Sequence, residues 1–176
     1  MERTGIVTSH GKPLTLVGST PAVGEQAPDF TVLDRTSREV TLADYRGKIK
    51  IISVTPSVDT PVCDVQARRF NSEAASLPAD VVILNMSMDL PFALDRYCSA
   101  AGIERVITLS DHRTASFGAS YGVLIKERRL LARAIFVLDR DDRIRYVEIV
   151  RDLGNHPDYE RALAAVKTVT QLSEAA

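Results

Sequence analysis

The chain has little cysteine, little net charge and no long apolar run, and each shortage removes a class of function. Two cysteines in 176 residues form no Cys-x-x-Cys pair, so the chain carries no adjacent redox dithiol. Two cysteines and three isolated histidines, His10, His112 and His156, make too poor a ligand set for zinc. The histidines read as surface or turn residues, and neither a metal nor a cofactor is expected. A formal net charge of −1, with scattered Lys and Arg, gives no electrostatic footprint for nucleic acid or an anionic membrane. No apolar stretch approaches the ~18 residues of a membrane span, and Met1 to Leu16 has no core of signal-peptide length. The expectation is a soluble cytoplasmic protein, where redox poise disfavours permanent disulfides. Its two thiols are then reactive or simply buried.

At 45% apolar residues, 176 residues suffice for one domain with a core that needs no staples. Thr4 to Val7 and Leu14 to Val17 flank Ser9-His10-Gly11-Lys12-Pro13, which predicts an N-terminal hairpin within residues 1–18. Short β-like pieces, Phe30 to Leu33 and Glu39 to Leu42, precede a βα alternation. Its strands are Ile49 to Val54, Val81 to Leu84 and Val106 to Leu109; its helices are Val65 to Ala75 and Leu90 to Ala101. Val65, Phe70 and Ala74 are expected on or near the apolar face of the first helix. Thr114 to Tyr121 reads as a short helix. Ala132 to Leu138 and Arg143 to Val150, joined by an acidic turn, must pair antiparallel, and Tyr159 to Leu172 closes the chain as a helix. A parallel βαβαβ half followed by an antiparallel hairpin and a helix is an α/β fold with a mixed sheet flanked by helices.

The stretch Pro56-Ser57-Val58-Asp59-Thr60-Pro61-Val62-Cys63 carries the chemistry. It leaves a buried strand and enters a helix, with Thr60 suited to the N-cap and Pro61 to the first helical position. Cys63 then sits in the first turn, where free backbone N–H groups and the helix dipole favour thiolate over thiol. Asp64 opposes this if it faces the sulfur. Arg68 lies somewhat off the Cys63 face, so an offsetting cation could equally arrive from a distant segment. Many cysteines in such positions are only small buried hydrophobes, but a Thr-Pro-Val-Cys sequence at a strand-to-helix turn favours a reactive thiol. Cys98 lies near the end of the second helix. Met86 and Met88 read as core.

Pro56-x-x-x-Thr60-x-x-Cys63 resembles the active-site signature of the peroxiredoxins. The fuller string with Arg68-Arg69-Phe70-Asn71, the run Asp89-Leu90-Pro91-Phe92-Ala93 before Cys98, the run Leu130-Leu131-Ala132-Arg133-Ala134 and the Gly24-x-x-Ala27-Pro28-x-Phe30 entry are similar to its bacterial thiol peroxidase branch. The resemblance covers nearly the whole chain. It implies a thioredoxin-like fold with an N-terminal β-hairpin and a two-step thiol mechanism. By that resemblance Cys63 is the peroxidatic cysteine, attacking a hydroperoxide and becoming a sulfenic acid. Thr60 would hydrogen-bond thiolate and peroxide, Arg133 would supply the cation, and Pro56 would shape the pocket. Cys98 would resolve the sulfenic acid as an intramolecular disulfide, recycled by thioredoxin, in a homodimer. Without the resemblance, Arg133 reads as a surface residue on an edge strand. The loop Arg151 to His156 is longer than the branch leads one to expect, which bears on local loop shape.

Two other readings use the same residues. A redox sensor or relay would use a Cys63–Cys98 switch to oxidise a partner, and steady peroxide turnover distinguishes it from an enzyme. A thioredoxin-like binding module would hold two inert thiols, and a Cys63 ionisation midpoint near the ordinary ~8.5 would favour it. Joining cysteines on two helices is expected to require partial unwinding, since a disulfide needs Cα atoms roughly 4.4–6.8 Å apart.

Overall fold

A computed structural model describes residues 1–174. Two antiparallel strands open the chain, β1 (Glu2–Ser9) and β2 (Lys12–Val17). Their turn is His10-Gly11, both at positive φ, which places it one residue earlier than a Gly-Lys-Pro turn would be. β3 (Thr31–Leu33) and β4 (Glu39–Thr41) pair across the polar turn between them. The alternation then runs β5 (Ile49–Val54), α1 (Pro61–Glu73), β6 (Val81–Ser87), α2 (Pro91–Ala101) and β7 (Val106–Ser110). After a short α3 (Ser116–Ser120) come β8 (Leu124–Ile125), β9 (Leu130–Leu131), β10 (Ala134–Leu138), β11 (Ile144–Ile149) and α4 (Tyr159–Glu174).

The main sheet has the order β11-β10-β5-β6-β7-β3-β4, with β5, β6 and β7 parallel and the rest antiparallel. This is the expected mixed thioredoxin-like sheet. The N-terminal hairpin belongs to a second sheet, β1-β2-β8-β9, whose last two strands are only two residues long. Pieces that short leave no periodicity to read in the sequence.

All six residues of β5 are buried, because both faces of its sheet are covered. Alternate residues serve different cores. Ile52 and Val54 join Phe30, Phe117, Tyr121 and Phe136 in a core shared with the second sheet. Ile49 and Ile51 join Phe70, Ile83, Ile135 and Val166 in the core under the helices. Met86 lies wholly inside the first core and Met88 packs against it. Among the described residues no helix is long and apolar enough to cross a membrane.

The apolar face of α1 differs from expectation. Val65 is 49% exposed, and the buried face is Cys63, Gln66, Ala67 and Phe70. These positions follow helical i, i+3, i+4, i+7 spacing, but the polar Gln66 among them masked the stripe.

Candidate active site

The Thr60–Pro61 step starts α1 as expected, with Thr60 extended at the N-cap and Asp64 N–H donating to the Thr60 carbonyl at 3.0 Å. The Thr60 side chain does not cap, contrary to expectation. Its hydroxyl donates to the Ser57 carbonyl at 3.2 Å, so its proton closes the loop before the helix. Nor does it bond the Cys63 sulfur; Thr60 lines the cleft beside it.

Cys63 is fully buried, and its partner is a residue seventy positions away. Arg133 Nη1 donates to Cys63 Sγ at 3.4 Å. The reading of Arg133 as a surface residue on an edge strand does not hold: it is 1% exposed, in the link between β9 and β10, and β10 is an inner strand. A buried guanidinium needs acceptors. Nη1 also donates to Gln66 Oε1 at 2.8 Å, and Nε and Nη2 both donate to the Leu153 carbonyl, at 3.3 and 2.9 Å. Gln66 is held in turn by its Nε2, which donates to Ser53 Oγ at 2.7 Å.

The loop Arg151 to His156 therefore supplies the carbonyl that aims Arg133. The N-terminal hairpin positions that loop. Thr8 N–H donates to the Arg151 carbonyl at 2.7 Å, Leu153 N–H donates to the Thr8 carbonyl at 3.0 Å, and Thr8 Oγ1 donates to Asp152 Oδ2 at 2.7 Å. The Asp152 carboxyl lies below its usual range because the Thr8 hydroxyl and the Gly154 and Gly11 N–H groups donate to it.

Arg133 and the residues just before Cys63 line a cleft of about 310 Å³, while the cysteine itself is buried behind that lining. Pro56, Thr60, Val62, Arg133 and Leu153 line it, with His10 and Arg128 among the rest. Three of the residues singled out in the sequence, Pro56, Thr60 and Arg133, meet here. His10 is an exposed turn residue, as expected, and the hairpin turn brings it to the edge of this cleft.

The Asp64 hydrogen bonds go to partners other than the sulfur: Arg68 Nε and the Tyr97 hydroxyl donate to its carboxylate at 2.9 and 2.8 Å. Burial raises its carboxyl, but those two hydrogen bonds outweigh burial and leave it below the usual range. Arg68 Nη1 also reaches the Ala101 carbonyl at 3.1 Å, so α1 and α2 are joined by neighbours of the two cysteines. A second tie is Asp89, just before α2. It accepts from Ser57 Oγ at 2.7 Å and from Val58 N–H at 2.9 Å, fixing the loop that leads to Cys63.

Cys98 is buried in the helix-side core, its sulfur 3.4 Å from Thr108 Oγ1. Both cysteines are free thiols. Thr108 lies in register with Asn85, and Asn85 with Ser53, so a polar row crosses the sheet beneath α1 and α2. Gln66 rests on one end and Cys98 on the other. Asn85 Oδ1 in the middle is buried and has no hydrogen-bond partner among the described residues. The described residues contain no group of three or more His, Cys, Asp or Glu that could hold a metal ion.

A buried thiol held by an arginine that lines a cleft, on a mixed sheet of this order, defines a thioredoxin-like thiol protein. A family model described as Redoxin matches residues 22–163, and the chain belongs to that family. It is 56% identical over 158 residues to a thiol peroxidase of Oceanobacillus iheyensis, covering 90% of this chain and 96% of that protein. It is 54% identical over 165 residues to a thiol peroxidase of Bacillus subtilis, covering 94% and 98%. The crystal structure of a peroxiredoxin-like protein from Aquifex aeolicus superimposes with a TM-score of 0.87 at 35% identity, covering 95% of this chain and 97% of that one. Within the redoxins, the chain belongs to the thiol peroxidase branch.

Proposed function

We propose that this enzyme reduces hydroperoxides with Cys63 as the attacking thiolate. The observation that carries the reading is the Arg133 Nη1 donor 3.4 Å from the buried Cys63 Sγ, on an arginine that also lines the adjoining cleft. A fixed guanidinium there stabilises charge on sulfur and then on the departing oxygen. The thiolate attacks one oxygen of the O–O bond. The S–O bond forms as O–O breaks, sulfur is oxidised to sulfenic acid, and the other oxygen leaves as alkoxide or hydroxide and takes a proton. Arg133 serves both charges. Pro56 walls the cleft, and Thr60, whose hydroxyl proton is engaged with Ser57, offers its oxygen lone pairs there.

Cys98 attacks the sulfenic sulfur, forming the Cys63–Cys98 disulfide and releasing water. Thioredoxin returns both thiols by dithiol–disulfide exchange. Each sulfur now has a different partner on a different element, Arg133 for one and Thr108 for the other. Both must leave these partners, with parts of α1 and α2 unwinding. Residues 1–176 act as one domain, a reading supported by the hairpin's hold on the Leu153 loop. The setting is the cytoplasm, whose reducing systems regenerate the thiols. Exposed Leu90 and Phe92, adjoining the Asp89 tie to the Cys63 loop, favour a homodimer packed near the active site.

The test is steady turnover of hydroperoxide with thioredoxin and its reductase. Wild-type protein turns over and Cys63→Ser does not. Full activity in Cys63→Ser sinks the assignment. Oxidation that stops after one equivalent, despite the reducing system, favours a sensor instead.

A further inference from the structure

We infer that a buried polar floor centred on Asn85 lets the turns that carry Cys63 and Cys98 lift from the sheet, and sets where that unwinding stops. The inference rests on the Cys63–Cys98 disulfide proposed above.

β5, β6 and β7 turn alternate residues toward the helices. On that face Ile51, Ile83 and Val106 stand side by side in register, within the core under the helices. Two residues on, the next row is Ser53, Asn85 and Thr108. Beyond it come Thr55, Ser87 and Ser110. All six polar residues are 2% exposed or less, so solvent at the strand ends does not account for them. The opposite face gives the contrast. There Val54, Met86 and Leu109, also in register, stay apolar to the end of the sheet. The polarity belongs to the face that α1 and α2 cover.

Most of these groups have partners. Gln66 Nε2 donates to Ser53 Oγ at 2.7 Å, Cys98 Sγ lies 3.4 Å from Thr108 Oγ1, and Ser87 Oγ donates to Asp89 Oδ2 at 2.8 Å. Asn85 is the exception. Its Nδ2 has one long bond, 3.4 Å to Thr55 Oγ1, and its Oδ1 has no partner among the described residues. A buried acceptor without a donor raises the energy of the closed fold. When the turns above it lift, water reaches the row and supplies that donor, and little apolar surface is exposed in exchange. The boundary between the polar and apolar rows falls under Gln66 in α1 and Cys98 in α2. Pro61 to Gln66 and Pro91 to Cys98 are the turns that lift. Phe70 and Ile103, beyond the boundary, stay in the apolar core.

The test compares wild type with Asn85→Leu, which keeps the side chain's shape and removes its polar atoms. Cys63 sulfenic acid formation and Cys63–Cys98 closure are timed by rapid quenching, alkylation and mass spectrometry. Amide hydrogen exchange is measured on reduced protein. Asn85→Leu is expected to close its disulfide about 10-fold more slowly, and to slow exchange by about the same factor from Pro61 to Gln66 and from Pro91 to Cys98 alone. Sulfenic acid formation should stay at the wild-type rate, since Asn85 is hydrogen-bonded to neither cysteine. A merely structural role would instead move exchange throughout the domain. Closure at or above the wild-type rate, or exchange altered throughout, overturns the proposal. Asn85→Val and Asn85→Thr are alike in shape, so they separate polarity from fit and decide the matter should Asn85→Leu fail to fold. Asn85→Val is expected to close several-fold more slowly than Asn85→Thr, and equal closure overturns the proposal. Wild-type protein that forms no Cys63–Cys98 disulfide refutes the functional reading, while exchange in reduced protein still judges the floor.

Discussion

Replacing Arg133 by methionine tests the active site where its parts converge. The side chain makes four donations: one to Cys63 Sγ, one to Gln66 Oε1 and two to the Leu153 carbonyl. Loss of a preorganised donor aimed at developing charge costs about 2.7–4 kcal/mol of transition-state stabilisation, or about 10²–10³ in rate. Two buried acceptors, Gln66 Oε1 and the Leu153 carbonyl, also lose a donor, at about 1–3 kcal/mol each. Part of that loss is offset because a buried charge has been removed. Arg133→Met should therefore melt a few degrees lower yet fold, and oxidise Cys63 about 10²–10³ times more slowly. Arg133→Lys restores charge but not the planar fork that spans Leu153, Gln66 and the sulfur, so its rate should fall between the two. The chain has no tryptophan to report oxidation, so the assay is rapid quenching with alkylation and mass spectrometry. A folded Arg133→Met that oxidises Cys63 at the wild-type rate would refute the reasoning.

Tyr97→Phe removes the hydroxyl that bridges the cysteine-bearing helices through Asp64. If unwinding limits disulfide closure, losing about 1 kcal/mol speeds closure about fivefold and lowers sulfinic acid formation at high peroxide; an unchanged closure rate contradicts this. Asp152→Ala loosens the Leu153 loop from the hairpin and should slow peroxide oxidation by about tenfold, less than Arg133→Met, with a wild-type rate counting against the hairpin's role. Asp111 is pushed up to about 6 by burial, against N–H donors from Gly118 and Phe117 that pull it down. Its folded value exceeds its unfolded one, so its contribution to stability is fully present below about pH 4 and is lost as pH rises through about 6, roughly 3 kcal/mol in all. Denaturation curves from pH 4 to 7 check this by comparison with Asp111→Asn, in which that component should vanish.

The chain shows its fold in the places where periodicity is long. Ile49 to Val54, the two Pro-initiated helices and the last antiparallel pair were legible because apolar runs, caps and turns agree there. β8 and β9 were not, since two residues carry no period. Cys63 was legible from its place at a helix start. Arg133 was not legible from pattern alone, because nothing local distinguishes a buried arginine from a surface one; its acceptors lie on α1 and in the loop after β11. Gln66 was hidden for the same reason. A polar residue in an apolar stripe looks like a break in the stripe, and in this fold it is the hold on the cation. The signal available was its spacing, three residues from the cysteine. Thr60 was placed correctly at the helix start, while its hydroxyl turned back to Ser57 for reasons of loop geometry that sequence does not contain.

The most direct test of the central claim is to treat reduced protein with one equivalent of hydroperoxide and map both cysteines by mass spectrometry. The account predicts a Cys63–Cys98 disulfide within one chain in the wild type, and a sulfenic acid at Cys63 in Cys98→Ser. Peroxide consumed while Cys63 remains a free thiol would contradict it.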